Sequence, residues 1–372
     1  MRSPTWISSA FGDQGMVELG LDPTISACMP PPSPSSQLEL TPPVSPEQRH
    51  KLATDPDALF KLRKVFETGG NLIHDSTILG TPMQKEFQAA FHAAMHAKLS
   101  TRPDLLSLLI PSFAPGCRRL TPGKGFLESL LEPNVTVIPT PITTITPTGI
   151  TTTTTLDSTT PTTHPIDVLI CATGYNVSSP PPFPILGRAA LPLSTRWAAR
   201  AESYLSLGVD SFPNCFFMFG PNSAIGSGSL TKILEAECDY TLACIRKLQR
   251  EDYACMEPRA ERVADFTAYV DGYFARTVYA DDCRSWYVRG GKVVGLWPGS
   301  TLHALEALRA PRWEDWVYEA VEERRGNALG WLGDGSSAPG DASWYINPGE
   351  VEVPVEGRPE ENERYKARPW CY

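Results

Sequence analysis

The sequence predicts an α/β protein of two domains or domain halves, and three observations support this prediction. The chain has 372 residues, which is long enough to bury more than one sizeable core. Residues 168–172 are uniformly apolar and lead into Thr173-Gly174, the pattern of a doubly covered parallel strand that ends at a ligand site. Residues 212–230 predict a strand, a glycine-rich loop and the start of a long helix.

The composition argues against several classes of protein. A net charge of −9 argues against nucleic acid as a partner, because phosphate binding needs a basic face. No apolar run approaches the roughly 18 residues that a membrane-spanning helix needs, so we expect no membrane insertion and a cytoplasmic location. The nine cysteines lack metal-binding spacing and several lie within apolar patterns, so we interpret them as reduced core thiols, such as Cys171, Cys215 and Cys238. The sequence does not indicate an oligomeric state.

The first third of the chain predicts a proline-rich loop followed by helices. Prolines crowd residues 22–48, where they remove backbone donors and restrict their neighbours, so this segment is predicted to be a loop. A helix is predicted over 56–67, where one face carries Leu59, Leu62 and Val65. The next helix begins at Thr81-Pro82, a capping hydroxyl followed by proline at the first helical position, and its apolar stripe continues to Leu99.

The middle of the chain predicts strands separated by turns. Residues 134–138 alternate between polar and apolar as a strand does, and the threonine-rich residues 143–150 predict a strand, a turn and another strand. Beyond the glycine-rich loop, Ser229 is placed to cap a helix. The apolar face predicted for that helix consists of Leu230, Ile233, Leu234, Cys238, Leu242, Ile245 and Leu248.

Two pairs of polar residues are candidate sites. Arg118 and Arg119 lie in a loop bounded by glycine and proline without an acidic neighbour, so their charge faces either water or an anion. His92 and His96 are four residues apart on a predicted helix and share a face, as two metal ligands do. Because no third ligand is evident, no metal site is predicted.

Several motifs together resemble the flavin-containing monooxygenases and their Baeyer–Villiger relatives. The stretch Asp167-x-x-x-x-Ala-Thr-Gly-Tyr175 is similar to the hallmark that links the NADP domain back to the FAD domain in this family. Asn176 follows it, where the Baeyer–Villiger branch usually has Asp. Other similar segments are Arg2-Ser-Pro-Thr-Trp6, Arg118-Arg-Leu120, Phe212-Pro-Asn-Cys-Phe-Phe-Met-Phe-Gly-Pro-Asn-Ser223 and Cys283-Arg-Ser-Trp286. The sequence contains no Gly-x-Gly-x-x-Gly loop for a dinucleotide pyrophosphate.

The resemblance implies a role for each matching residue. Arg2, Ser3 and Arg118 hold the 2′-phosphate of NADPH in this interpretation, and Trp286 packs beside the nicotinamide half of NADP. Arg119 is the implied catalytic residue, which stabilises the anionic oxygen species that attacks a ketone. The other cofactor-binding residues implied are Thr173, Gly174, Gly220, Pro221, Asn222 and Ser223.

The resemblance covers nearly all of this chain but only the later part of the family's length, which implies an N-terminally truncated relative. It implies an incomplete Rossmann-like NADP-binding domain at 1–175, with a helical insertion at about 50–112 and the proline-rich loop at about 22–48. Residues 176–372 then form the C-terminal segment of the FAD-binding domain. The implied function is that of an FAD- and NADPH-dependent Baeyer–Villiger monooxygenase, which uses O2 to insert oxygen beside a ketone of a secondary metabolite.

Two alternatives stay open at this point. One is a catalytically inactive remnant or scaffold that lacks the FAD glycine loop. The other is an enzyme without flavin, in which the Arg118/Arg119 pocket carries out anion or acid–base chemistry.

Overall fold

The computed structural model describes residues 5–8, 46–123, 125–153, 161–174, 181–322, 326–327, 329–332 and 335. Its α-helices are α1 (Pro46–Thr54), α2 (Pro56–Leu72), α3 (Pro82–Leu99), α4 (Pro103–Leu109), α5 (Phe126–Ser129), α6 (Leu193–Arg196), α7 (Leu230–Arg250), α8 (Ala260–Phe274) and α9 (Thr301–Ala307). Its strands are β1 (Ile7–Ser8), β2 (Thr121–Pro122), β3 (Ile142–Thr146), β4 (Gly149–Thr153), β5 (Pro161–Pro165), β6 (Tyr253–Pro258), β7 (Val288–Arg289), β8 (Lys292–Val293) and β9 (Trp316–Ala320).

The strands of the described residues form four small sheets. Strand β1 pairs with β2 in parallel, with Ile7 opposite Thr121. The other three sheets are antiparallel and have the strand orders β3-β4-β5, β6-β9 and β7-β8. Strands β1 and β2 are far apart in sequence. Their pairing places Ile7–Ser8 alongside Thr121–Pro122, at the end of the loop that contains Arg118 and Arg119, here called the arginine loop.

The chain divides into two compact units. Unit 1 comprises Met1–Phe183, Asn222–Leu230 and Ala268–His303. In its core, the indole nitrogen of Trp6 donates a hydrogen bond to the carbonyl oxygen of Phe113 at 2.9 Å. A disulfide between Cys117 and Cys283 lies in the same core. The buried apolar residues packed around them include Met95, Leu99, Leu105, Leu109 and Leu127.

Unit 2 comprises Pro184–Pro221, Thr231–Thr267 and Ala304–Tyr372. Trp316 is 1% exposed and lies at the centre of an aromatic cluster. The ring centroid of Trp316 is 5.7 Å from the centroids of Tyr204 and Phe216, and it is 6.3 Å from the centroid of Tyr240. The Tyr204 hydroxyl donates to the Asp315 carboxylate, so this buried polar tip has a partner.

The predictions that rest on local helix and turn signals are confirmed. Helix α2 begins after Asp55, whose carboxylate accepts from the backbone nitrogens of Asp57 and Ala58. Helix α3 begins after Thr81, whose hydroxyl accepts from the backbone nitrogen of Gln84 at 3.2 Å. The predicted strand, turn and strand at 143–150 are β3 and β4. Residues 22–48 lie largely outside the described residues.

The prediction of a buried strand at 166–175 is wrong for the described part, residues 166–174. These residues form no strand, and Val168 and Ile170 are 75% and 85% exposed. A parallel strand depends on hydrogen-bonded neighbours and on layers that cover both faces, and the described residues supply neither here.

Two other predicted strands are also absent. Residues 134–138 have alternating burial, with Val135 and Val137 half-buried, but they pair with no strand of the described residues. Residues 212–218 contain only an isolated bridge between Phe216 and Gly208. Alternation or apolar character is therefore insufficient, because a strand forms only where another segment accepts its backbone hydrogen bonds.

The predicted burial of helix α7 is wrong as well. Helix α7 buries Ile233, Glu237, Tyr240 and Cys244, whereas the predicted apolar face leaves Cys238, Leu242 and Ile245 exposed. The buried stripe is rotated because the rest of unit 2 packs on another side of the helix.

The cysteines differ from their predicted state. Cys117 and Cys283 form a disulfide, which the interpretation as reduced thiols missed. Cys171 and Cys238 are free but exposed, and Cys215 is half-buried, so two of the three named thiols are outside the core. Sequence spacing does not reveal a pair whose members are brought together only by folding.

Candidate active site

The arginine loop of unit 1 is held in place by residues 281–283. The backbone nitrogen of Ala114 donates to Asp281 Oδ2 at 3.0 Å, and the Cys117–Cys283 disulfide lies directly before the arginine pair. Arg118 is half-buried and Arg119 is exposed. The two side chains thus lie on a loop whose backbone is anchored from both the disulfide and the β1–β2 pairing.

The positive charge of Arg119 influences Tyr287, the neighbour in sequence of Trp286, which is the residue predicted to pack beside the nicotinamide. Burial raises the pKa of the Tyr287 phenol, and the positive charge of Arg119 opposes this by favouring the phenolate. Trp286 precedes Tyr287, and their ring centroids are 4.7 Å apart. Tyr287 is 3% exposed, whereas Trp286 is 47% exposed. The charge of the exposed Arg119 therefore reaches Tyr287, the residue that follows the exposed Trp286 in the chain.

The loop that begins at Asn222 is bound to residues 293–297. Asn222 adopts a left-handed backbone, and its Nδ2 donates to the carbonyl oxygens of Val293 at 3.1 Å and Leu296 at 3.0 Å. Ala224 forms backbone hydrogen bonds with Gly295 and Trp297. Both side-chain donors of Asn222 are used to hold the backbone, and Ser223 beside it is 1% exposed.

Two glycines of unit 1 lie in close contact with aromatic side chains. A Cβ added to Gly295 would lie 3.2 Å from the Trp286 ring, so this glycine lets the indole pack against the backbone. A Cβ added to Gly226 would lie 1.6 Å from the hydroxyl oxygen of Tyr279. Tyr279 is buried and was not recognised from the sequence, since an isolated tyrosine carries no local signal. The glycine at 226 is needed because the backbone and this phenol are in direct contact.

Gly220 and Pro221 belong to unit 2, where they follow a strained residue. Phe219 has a φ of +62°, a left-handed conformation that costs a non-glycine residue about 1–2 kcal/mol. A Cβ added to Gly220 would lie 2.1 Å from the carbonyl oxygen of Ser206, so only glycine fits there. The Ser203 hydroxyl donates to the carbonyl oxygen of Pro221 at 3.1 Å.

The other predicted site residues are either exposed or lie outside the described part of the chain. Thr173 and Gly174 are exposed, and Gly174 has a φ of +81°, as expected for a turn. Arg2 and Ser3 lie outside the described residues. The His92 and His96 rings stack with centroids 6.2 Å apart, and the described part of the chain contains no group of three or more potential metal ligands. Within the same part, no helix is both long and apolar enough to cross a membrane.

The chain is similar in sequence to known monooxygenases. No protein-family model matches the sequence. Over 356 residues the chain is 30% identical to the FAD-binding monooxygenase tazF of Aspergillus terreus, in an alignment that covers 93% of this chain and 58% of that protein. A Baeyer–Villiger monooxygenase of Pseudomonas aeruginosa is 28% identical over 203 residues, which are 54% of this chain and 37% of that protein.

Among solved structures, the chain is similar to an oxidized steroid monooxygenase bound to NADP. The TM-score is 0.58 at 22% sequence identity, and the match covers 86% of this chain and 61% of that one. This similarity confirms the predicted fold class, part of an α/β flavoprotein with two dinucleotide-binding domains. The chain spans less than two thirds of the length of each of these proteins.

Proposed function

The chain is a homologue, over part of their length, of FAD-binding monooxygenases that include Baeyer–Villiger enzymes, and on this premise we propose that it serves the same chemistry. The proposed reaction is the FAD- and NADPH-dependent insertion of one oxygen atom of O2 beside a ketone of a secondary metabolite. The observation that carries the proposal is that the charge of the exposed Arg119 reaches Tyr287, which directly follows the exposed Trp286 and packs against its ring.

The residues present fit the reactive halves of the two cofactors. An exposed guanidinium and an exposed indole suit an electron-rich flavin edge and a planar nicotinamide. For the adenosine pyrophosphate, the sequence contains no Gly-x-Gly-x-x-Gly loop, so the fit applies to the reactive halves alone.

FAD, once bound and reduced by NADPH, supplies the chemistry that activates O2 for insertion beside a carbonyl. The proposed role of Arg119 is to stabilise negative charge that develops next to the ketone, because its guanidinium stays protonated throughout. Arg118, with Arg2 and Ser3, is proposed to bind the 2′-phosphate of NADPH. Trp286 is proposed to orient the nicotinamide half. The residues proposed to contact the flavin are Thr173, Gly174, Gly220, Pro221, Asn222 and Ser223.

The experiment compares wild type with Arg119→Lys in a full-length context, an extended polypeptide that includes a glycine loop for FAD, after reconstitution with FAD. Flavin absorbance reports loading, and stopped-flow spectroscopy separates reduction by NADPH from reoxidation. A panel of cyclic and aryl ketones is assayed by mass spectrometry for products one oxygen heavier. We expect Arg119→Lys to be reduced normally, while ketone oxygenation falls about a hundred- to a thousand-fold, because lysine lacks the planar fork. Arg246→Lys, at an exposed position of helix α7, is the matched control.

One outcome would reassign Arg119. If Arg119→Lys slowed reduction but oxygenated ketone normally once reduced, the residue would serve hydride delivery.

A second candidate function is a non-catalytic scaffold. It is favoured by residues 168–172, which are apolar and exposed where the proposed enzyme needs a covered ligand site. If the extended polypeptide with the glycine loop shows no flavin absorbance after incubation with FAD and releases no oxygenated product, this candidate is supported.

A further inference from the structure

Glu237 is the most deeply buried acidic side chain of the described residues, with 0% exposure. It lies on the face of helix α7 that packs into unit 2, between Ile233 and Tyr240. A carboxyl group in such a place requires a polar partner, because burial removes its hydration. Its partner is a backbone group: Oε2 accepts a hydrogen bond from the nitrogen of Phe219 at 2.9 Å.

The side chains of the turn at Phe219 contribute little core packing. Phe219 has a left-handed backbone, and its ring is 48% exposed, so core packing does not hold it. The preceding Met218 is 42% exposed. Gly220, the next residue, lies so close to the carbonyl oxygen of Ser206 that an added Cβ would clash with it. The hydrogen bond from Phe219 to Glu237 therefore restrains a conformation that neither side-chain burial nor backbone preference favours.

The carboxyl group provides this acceptor without a compensating cation. Its second oxygen, Oε1, is buried and has no hydrogen-bond partner in the described part of the chain. Burial raises the pKa of Glu237 to about 7, and the hydrogen bond from Phe219 opposes this shift. At neutral pH the group therefore exists substantially in its neutral form, whose carbonyl oxygen accepts a hydrogen bond as well.

We propose that Glu237 is a positioning residue that fixes the Phe219–Gly220 turn through its acceptor oxygen, and that the turn requires the acceptor and not the negative charge. The proposal deepens the proposed function and rests on it in one respect, since Gly220 and Pro221 are the residues assigned there to the flavin. Glu237 acts through the backbone and is not assigned a contact with cofactor or substrate.

Residue-resolved amide hydrogen exchange on the full chain tests the proposal without any cofactor. Glu237→Gln retains an acceptor oxygen and lacks the charge, whereas Glu237→Met has a similar volume and no acceptor. We expect the Phe219 amide to exchange about tenfold faster or more in Glu237→Met, and within about threefold of wild type in Glu237→Gln. The amide of Phe217, two residues before Phe219, donates to the carbonyl oxygen of Leu207 and serves as the internal control for unit 2. Glu235→Met, at an exposed position of the same helix, is the matched control variant.

Several results would overturn the proposal. An unprotected Phe219 amide in the wild-type chain would show that the hydrogen bond is not maintained. Unchanged protection in a folded Glu237→Met variant would show that the acceptor is not needed. A loss of protection in Glu237→Gln would show that the charge is required, and this comparison still decides if Glu237→Met fails to fold. Because FAD titration in the full-length context judges the flavin assignment separately, failure of the positioning role and failure of the proposed function are distinguishable.

Discussion

The carboxyl group of Glu237 makes the stability of the protein depend on pH in a defined direction. Its pKa is raised to about 7 from 4.5, so between these values the folded state retains a proton that the unfolded state releases. The free energy of unfolding therefore falls as the pH rises through this range, by at most about 3 kcal/mol. We expect Glu237→Gln, which cannot ionise, to become more stable relative to wild type by up to this amount between about pH 4.5 and pH 8.

Urea denaturation at the two ends of that range measures the difference. Glu235→Gln is the control, because Glu235 is exposed and pairs with Lys232 on the surface of the same helix. If the difference between wild type and Glu237→Gln were the same at both pH values, the carboxyl would not take up the proton assigned to it.

Arg118 allows a test of cofactor discrimination by a single residue. In the full-length context, Arg118→Ala should weaken NADPH binding by about 1.5–3 kcal/mol while leaving NADH binding nearly unchanged, since NADPH alone carries the 2′-phosphate. Equilibrium titration of both nucleotides measures this, with Arg246→Ala as the control. Equal losses for the two nucleotides would indicate that Arg118 supports the loop and does not bind phosphate.

The cap of helix α3 contributes to stability at the level of a secondary-structure element. The hydroxyl oxygen of Thr81 accepts from the backbone nitrogen of Gln84 and donates to the carbonyl oxygen of Asp75 at 2.7 Å. We expect Thr81→Ala to lower the free energy of unfolding by about 1–2 kcal/mol. Chemical denaturation measures this, and the exposed Thr101→Ala is the control. A loss no larger than that of the control would mean that the cap is dispensable.

The disulfide links two distant elements of unit 1, the arginine loop and the segment before Trp286. Cys117 and Cys283 are 166 residues apart, so the bond restricts a long loop in the unfolded chain. The chain-entropy estimate for a loop of this length is about 5 kcal/mol, an upper figure for such bonds. We expect Cys117→Ser, Cys283→Ser and the double variant to lose similar stability in non-reducing denaturation, and Cys238→Ser to lose little.

Thiol labelling followed by peptide mass spectrometry identifies the bond directly. If the wild-type protein were labelled at Cys117 after unfolding without reductant, the bond would be absent, and the stability difference should disappear with it.

The whole chain is expected to bind FAD weakly or not at all in isolation. The pyrophosphate of a dinucleotide normally rests on a glycine loop at a helix N-terminus, and the sequence contains no Gly-x-Gly-x-x-Gly motif. Isothermal titration with FAD measures the affinity. A dissociation constant below about 1 µM would show that another segment provides the phosphate cradle.

The accuracy of the sequence-based predictions depends on the range of the interaction involved. Thr81 is recognisable as a helix cap because it bonds to a backbone nitrogen three residues away. The strand, turn and strand at 143–150 are likewise local. In contrast, residues 166–174 carry the composition of a buried strand but depend on distant neighbours, and they remain exposed in the described part of the chain.

By itself, the sequence determined the family, the fold class and the helix starts, because motifs and caps are properties of neighbouring residues. It also identified Arg118, Arg119 and Trp286 as candidates, although their roles remain predictions. Tertiary structure alone decided that Cys117 bonds to Cys283, that Tyr279 lies against Gly226, and that α7 turns Glu237 inward. Each of these pairs is separated by many residues, or depends on which face of a helix its neighbours cover. Such contacts form only when the chain closes long loops. The residues near each position in the sequence therefore do not indicate which distant residue it will contact.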